Sequence, residues 1–485
     1  MHKSKLILLL KTFSGEENIR FHDFLSSIYF NKNKTLIKFF EILRKEYPDF
    51  DSDKILKKNV YLKLFPENEF NEQVLKNLIS DLLKLCREFL EIEIYEKDKN
   101  EKQLNLLKQL TGRNADPVYF TELKNFEKQL NELSELSEKS FYYLYQLEEL
   151  KISFHLERNE QPKVIEKVMK SGEFLLLYFH LHLTKIISNL NVNKHTYKVD
   201  YKTNLPGEFF DNINFEKVIK YMKEKDISYS EIVEMYYLRV ICNSQQFNEK
   251  NYFKFKELVI KNLNLLDRVE TYGLFNALET FNMKYYSTSN EFFMNELLDI
   301  YKTEIENGFY KFSDTSPVTL MKFRNTFNSA VRSGEFEWAE NFLDDFQNDV
   351  IESDRNNLIK ISHAQINFET GDFEKSLELI SEINPDHLYL KIDIRNLTLM
   401  SYYELNYLDS AISAIDSFKH FISSNKSLSD HFKESNIRFA NSLNSLILFK
   451  EKDQKEKLAD LKIDLIPFKG ERRINWLMEK IDEVI

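Results

Sequence analysis

Glycine and proline are nearly missing from this chain. Its 485 residues hold 9 glycines and 8 prolines, a glycine usage far below the average of about 7%. Folds built on tight hairpins or phosphate loops need many positions at positive φ, which glycine supplies without steric cost. Their scarcity argues against such folds and for long helices joined by short turns. Cysteine is scarcer still. Cys86 and Cys242 are the only two, and neither sits in a CxxC or Cys/His cluster. No disulfide framework or structural zinc site is expected, only buried thiols in a reducing compartment. The glycines never form GxG and never precede Lys-Ser or Lys-Thr, which removes the Rossmann and P-loop signatures. GxSxG and HExxH are absent too, so no cofactor or metal is called for.

Long apolar runs are also lacking. MHKSKLILLLKTF opens the chain with only Leu6 to Leu10 ahead of Lys11, shorter than the roughly 7–15 residues of a signal-peptide core. FLLLYFHLHL, Phe174 to Leu183, comes closest to a membrane segment and falls well short of the ~18 residues needed. A cytoplasmic protein without a membrane span is expected. Positive charge is deficient as well: 67 Lys and Arg face 78 Asp and Glu, a net of −11, whereas gripping duplex DNA along its length requires a basic excess. Apolar and aromatic residues are abundant. Hydrophobic residues make up 42%, with 41 Phe and 25 Tyr against 2 Trp. That is ample core material, with Phe and Tyr rings filling the contacts between helices. The length suits about three domain-sized units.

A pattern recurs in the C-terminal third. Gly334-x-Phe336-x-x-Ala339 is followed by Gly371-x-Phe373-x-x-Ser376 and Asn406-x-Leu408-x-x-Ala411, at offsets of 37 and 35 residues. A period between about 20 and 50 marks stacked repeats. Gly334, Gly371 and Asn406 can turn the chain through the left-handed region. Phe336, Phe373 and Leu408 then start a second helix, and small Ala339, Ser376 and Ala411 let two helices approach. Leu343, Ile380 and Ile415 follow on the same face. The pattern resembles the tetratricopeptide repeat, best in ETGDFEKSLELISEINP (Glu369 to Pro385), and covers about Pro317 to Ser423. Ser376 replaces the family's usual alanine, and the second repeat lacks the large aromatic expected early in its first helix.

Looser helical rows cover Ile232–Ile241, Tyr252–Leu266, Tyr272–Tyr286 and Phe292–Tyr310, with Ser287 to Asn290 supplying a helix cap. The stretch between Leu190 and Ile213 shows little helical periodicity and reads as a surface loop or extended segment. Phe432–Lys450 and Arg472–Ile485 read as closing helices. Residues 1–95 follow another rhythm, with helices near Glu16–Tyr29, Lys34–Lys45, Lys54–Leu64 and Asn71–Ile94. The expected organisation is all-α: an N-terminal helical module over 1–95, irregular helical hairpins over 96–310, and tetratricopeptide-like repeats with capping helices over 311–485. Together they would form an α-solenoid of antiparallel helical hairpins. The layout also resembles a group of bacterial helical-repeat proteins with an aspartate-tyrosine motif, here Val199-Asp200-Tyr201, a group that carries no agreed activity.

Candidate chemistry is sparse. His180 and His182 lie two apart, about 200° around a helix, so they cannot share an ion there; a structural role is the simpler reading. Asp51-x-Asp53 lacks the glycine and glutamate of a calcium loop and reads as helix capping. Asp200 could support an enzyme site with the His180/His182 segment, although turn formation explains it more simply. The short and long helices of the N-terminal module could form a helix-turn-helix reader. A transcriptional regulator with repeats as sensor is therefore an alternative. Asp51 to Glu93 carries seven Lys and Arg against nine Asp and Glu, poor for phosphate contact, which makes nucleic acid a disfavoured partner.

The leading reading is a non-catalytic scaffold holding a protein or peptide. The resemblance implies that first helices line a concave surface. By register, Arg324, Asn328 and Arg332 fall on the exposed side of the first repeat, joined by Gln365 and Asn396 from the next two. Family members that clamp a peptide carboxylate use a basic residue and an asparagine four apart, as Arg324 and Asn328 are. Asp393 and Leu397 stand where the clamp's third-repeat cations would be.

Overall fold

The computed structural model describes residues 1–132, 136–197, 201–244, 248–286, 291–428 and 430–485. These residues form 24 α-helices, four short 3-10 turns and no strand; two isolated bridges, Leu136 with Leu266 and Val318 with Val350, are the nearest approach to a sheet. None of the described helices is long and apolar enough to cross a membrane. The chain divides into two compact units: Met1–Glu132 with Gln146–Val168, and Leu133–Tyr145 with Met169–Ile485.

The first unit begins with α1 (Lys5–Leu10), α2 (Gly15–Ser26), α3 (Lys34–Arg44), α4 (Lys57–Leu64) and α5 (Glu72–Lys97). Local chemistry sets the starts. Ser14 and Glu17 form a reciprocal capping box on α2, and Asn33 and Asn71 cap α3 and α5. On α5, Leu75, Leu78, Leu82, Leu85, Cys86 and Phe89 form the buried row, and Phe89 meets Phe13, Phe21 and Phe24. Then come α6 (Lys99–Thr111) and α7 (Asp116–Asn131), followed by α8 (Glu138–Glu157) and α9 (Ile165–Tyr197), which contribute residues to both units. The boundary expected near residue 95 falls inside α5.

The second unit continues with α10 (Leu205–Asp211), α11 (Phe215–Glu224), α12 (Ser230–Asn243), α13 (Glu249–Lys261), α14 (Arg268–Tyr286) and α15 (Glu291–Glu306). The pairs that follow are α16 (Leu320–Arg332) with α17 (Phe336–Phe346), α18 (Glu352–Glu369) with α19 (Phe373–Ser381), and α20 (Leu388–Glu404) with α21 (Leu408–Ser424). The chain closes with α22 (Asp430–Glu451), α23 (Lys455–Leu465) and α24 (Arg472–Asp482). Each helix of a pair packs on its mate, and α16 on α18 and α18 on α20 pack between pairs.

The turns expected at Gly334, Gly371 and Asn406 are there, at φ of 74°, 88° and 59°. Each closes its first helix the same way. Glu335 N–H donates to Ala330 O at 3.0 Å, Asp372 to Asn367 O at 2.7 Å, and Tyr407 to Tyr402 O at 2.8 Å, satisfying carbonyls the helix end leaves open. Ala339, Ser376 and Ala411 are each 0% exposed where the second helix crosses the first. Phe373 wedges against Phe368 at 5.2 Å, and Phe342 gathers Phe323 and Tyr310 around it.

One expectation needs correction. Much of the stretch after Leu190 is helical: α9 continues to Tyr197 and α10 occupies Leu205–Asp211. A helix already nucleated extends residue by residue without an apolar stripe to advertise it. A further hairpin, α22 to α23, turns at Asp453 with φ 50° and the same closing bond, Gln454 N–H to Phe449 O at 2.9 Å. The repeat pattern does not reveal it, because aspartate replaces the glycine and Leu458 replaces the small residue. The cap expected at Ser287 to Asn290 lies outside the described residues.

Candidate partner-binding site

First helices of the second unit carry polar side chains inward, in two groups. The first surrounds Lys322, the one charged residue among the buried residues of α16, which include Phe323, Thr326, Phe327, Ser329 and Ala330. Its Nζ lies 2.9 Å from Glu279 Oε1 and 2.5 Å from Glu304 Oε1, and 3.3 Å from Asn276 Oδ1. Rings of Tyr272 and Tyr310 flank it at 4.4 and 5.2 Å. Burial opposes the ammonium charge, but Glu279 and Glu304 outweigh it and hold the lysine above its usual pKa. Glu304 is pushed well above the carboxylate range by burial and then by Glu279, against the pull of Lys322.

The second group is a ladder across four helices. Arg324 of α16 places its guanidinium fork on Asp393 of α20, with Nη2 at 2.6 Å from Oδ1 and Nε on Oδ2. One turn further along α20, Asn396 Nδ2 donates to Asn436 Oδ1 of α22 at 3.2 Å. Arg473 of α24 donates to that same oxygen at 2.5 Å. Burial works against the Arg324 charge, and Asp393 more than offsets it, so the guanidinium is held above its usual pKa. The Arg324 side chain keeps 18% of its surface exposed.

The five residues singled out for partner contact divide accordingly. Arg332, in the last turn of α16, is exposed as expected. Asn328, Gln365 and Asn396 are not: they are 9%, 8% and 8% exposed. The packing of α16 on α18 and α18 on α20 covers the flank that a single repeat would show to water. Arg324 and Asn396 join one ladder; Arg324 is already paired. Asp393, a misfit in the clamp pattern, is that partner, so the carboxylate at this point comes from the chain itself. Asn436 and Arg473 lie outside the matching repeats, so the repeat pattern does not point to them.

Other candidates resolve plainly. His180 is buried, bonds Val233 O at 2.9 Å, and is pushed down to about 4 by burial. His182 faces away toward Glu138 at 2.7 Å. Asp51 pairs with Lys11 at 2.9 Å and Ser52 does the capping, which corrects the capping role given to the Asp51/Asp53 pair. Asp200 and Val199 lie outside the described residues. On α5, Lys76 and Lys84 face Glu72 and Glu88 one turn away. Among the described residues no cluster of His, Cys, Asp and Glu could hold a metal, and both cysteines are free and buried. No protein-family model, no curated protein and no solved structure matches this chain.

Proposed function

We propose that the pairs from α16 onward form a tetratricopeptide-like solenoid. Its first-helix face, built by α16, α18, α20, α22 and α24, receives a protein or peptide partner as a non-catalytic cytoplasmic scaffold. The carrying observation is two neighbouring sets of contacts on α20: Arg324 on Asp393, and one turn along, Asn396 and Arg473 on Asn436, from four separate helices. Stacked helix pairs hold such groups in place before a partner arrives, so little ordering is needed on binding. Repeated turns at Gly334, Gly371, Asn406 and Asp453 support the stacking. Two buried free cysteines suit a reducing compartment.

The test is a pull-down with the full chain from a lysate of its source cell. The expected result is one stoichiometric partner with the wild type. It is lost in the variant Arg324→Ala, Asp393→Ala, Arg332→Ala, which removes Asp393 together with the arginine it pairs. Circular dichroism confirms that the variant stays folded. Undiminished partner recovery by the folded variant refutes the reading.

A further inference from the structure

Arg473 stands deep in the ladder without a carboxylate of its own. Nη1 donates to Asn436 Oδ1 at 2.5 Å and Nη2 reaches Ser435 Oγ at 3.5 Å, both neutral acceptors; the Phe439 ring lies 5.3 Å away. The neighbouring acids are committed elsewhere. Asp393 holds the Arg324 fork, and Glu471 serves Arg438 at 3.3 Å and Ser435 at 2.7 Å. Burial lowers the Arg473 pKa to about 10; Glu471 and Asp393 oppose that shift from a distance, and the charges of Arg332 and Arg324 add to it. In a chain of net charge −11, this spot has the opposite sign.

Arg473 also fixes which way the ladder points. A guanidinium only donates, so the Asn436 atom facing it must be Oδ1, and Asn436 Nδ2 goes to Phe432 O at 2.8 Å. Asn396 must then present Nδ2 to that oxygen. Its own Oδ1 is left without a partner, in a residue only 8% exposed. One place therefore offers an acid-free guanidinium and a buried carbonyl that needs a donor.

We propose that an acidic peptide segment completes this site, with a Glu or Asp carboxylate on Arg473 and a backbone N–H on Asn396 Oδ1. The assignment rests on the groove reading above and adds the chemistry of the partner. The planar fork of Arg473 matches a carboxylate through parallel bonds. A phosphate would satisfy the guanidinium, yet it brings mainly acceptor oxygens to an acceptor that needs a donor. The peptide supplies both groups.

Fluorescence anisotropy with the full chain tests it, using a dye-labelled, C-terminally amidated oligoglutamate peptide and its glutamine counterpart. The glutamate peptide is expected to bind at least tenfold tighter than the glutamine one, and more weakly as salt rises. Arg473→Gln removes at least tenfold of that affinity, and Arg473→Lys, which keeps the charge and loses the fork, retains part of it. Equal binding of the two peptides by the wild type, or no binding of either, overturns the proposal without any variant having to fold. Displacement by inorganic phosphate at concentrations where glutamate peptide still outcompetes glutamine peptide on Arg473→Gln also overturns it, by placing the anion site elsewhere. If peptide binding fails while the pull-down partner is still lost in the Arg324, Asp393, Arg332 variant, the acidic-peptide assignment falls and the groove reading stands.

Discussion

Consider the replacement Glu304→Gln beside Lys322. Two carboxyl groups share one ammonium here, and the side chains of Lys322, Glu279 and Glu304 are 5%, 6% and 0% exposed. With both acids ionised, the cluster would bury one uncompensated negative charge. Instead Glu304 holds its proton well above the ordinary 4.5. The sign follows directly. An acid whose folded pKa is raised supports folding fully below its unfolded pKa, and that support drains away as pH rises toward the folded value. Each pH unit in that window costs the wild type about 1.4 kcal/mol, the free energy of one proton bound in the folded state alone. Glutamine copies the protonated carboxyl in shape and takes up no proton. At about pH 5 the variant should therefore nearly match the wild type, and above that it should gain about 1.4 kcal/mol per pH unit until the raised folded pKa of Glu304 is passed. Urea unfolding at several pH values measures the difference. Both tryptophans, Trp338 and Trp476, belong to the second unit, so their fluorescence follows the unit that contains the cluster. A stability difference that stays flat across this range would refute the shared-cation account.

Three other changes probe the same unit, and a fourth measurement probes the thiols. Lys322→Met leaves two acids buried without their cation and should cost about 3–5 kcal/mol near neutral pH, read from the same unfolding curves; a loss under about 1 kcal/mol would count against a buried ion pair. Gly371→Ala places a side chain at φ 88°, where the added carbon meets nothing within 4 Å, so the expected loss of about 1–2 kcal/mol is purely backbone strain. Ser376→Ala should stabilise by about 1–2 kcal/mol, because Ser376 is 0% exposed and its Oγ has no hydrogen-bond partner; calorimetry would register the rise in melting temperature. Burial pushes the Cys242 thiol up to about 12 and raises Cys86 further, so a thiol reagent should label neither until denaturant is added.

Much of the architecture is legible in the amino-acid sequence, because helix periodicity and turn chemistry are local. Gly334, Gly371 and Asn406 announce left-handed turns, and the small residues five places on announce close crossings; all of them sit as expected. Where the local chemistry is written differently, at Asp453 or in the polar end of α9, the same structure forms without that signal. The residues singled out for partner contact are legible only as a register. It puts Arg324 on α16 and Asn396 on α20, yet no spacing rule says that α18 and its neighbours will bury Asn328 and Gln365.

The linear chain thus determined its helices, its turns and its acidic balance, since each depends on residues within a few positions of one another. Tertiary structure decided which charges meet. Arg324 finds Asp393 and Arg473 finds Asn436 because helices far apart in sequence pack side by side, and ion pairs depend on distance through space. A carboxylate that looks out of place along the chain becomes, once folded, an arginine's partner, and an arginine in the final helix is left without one.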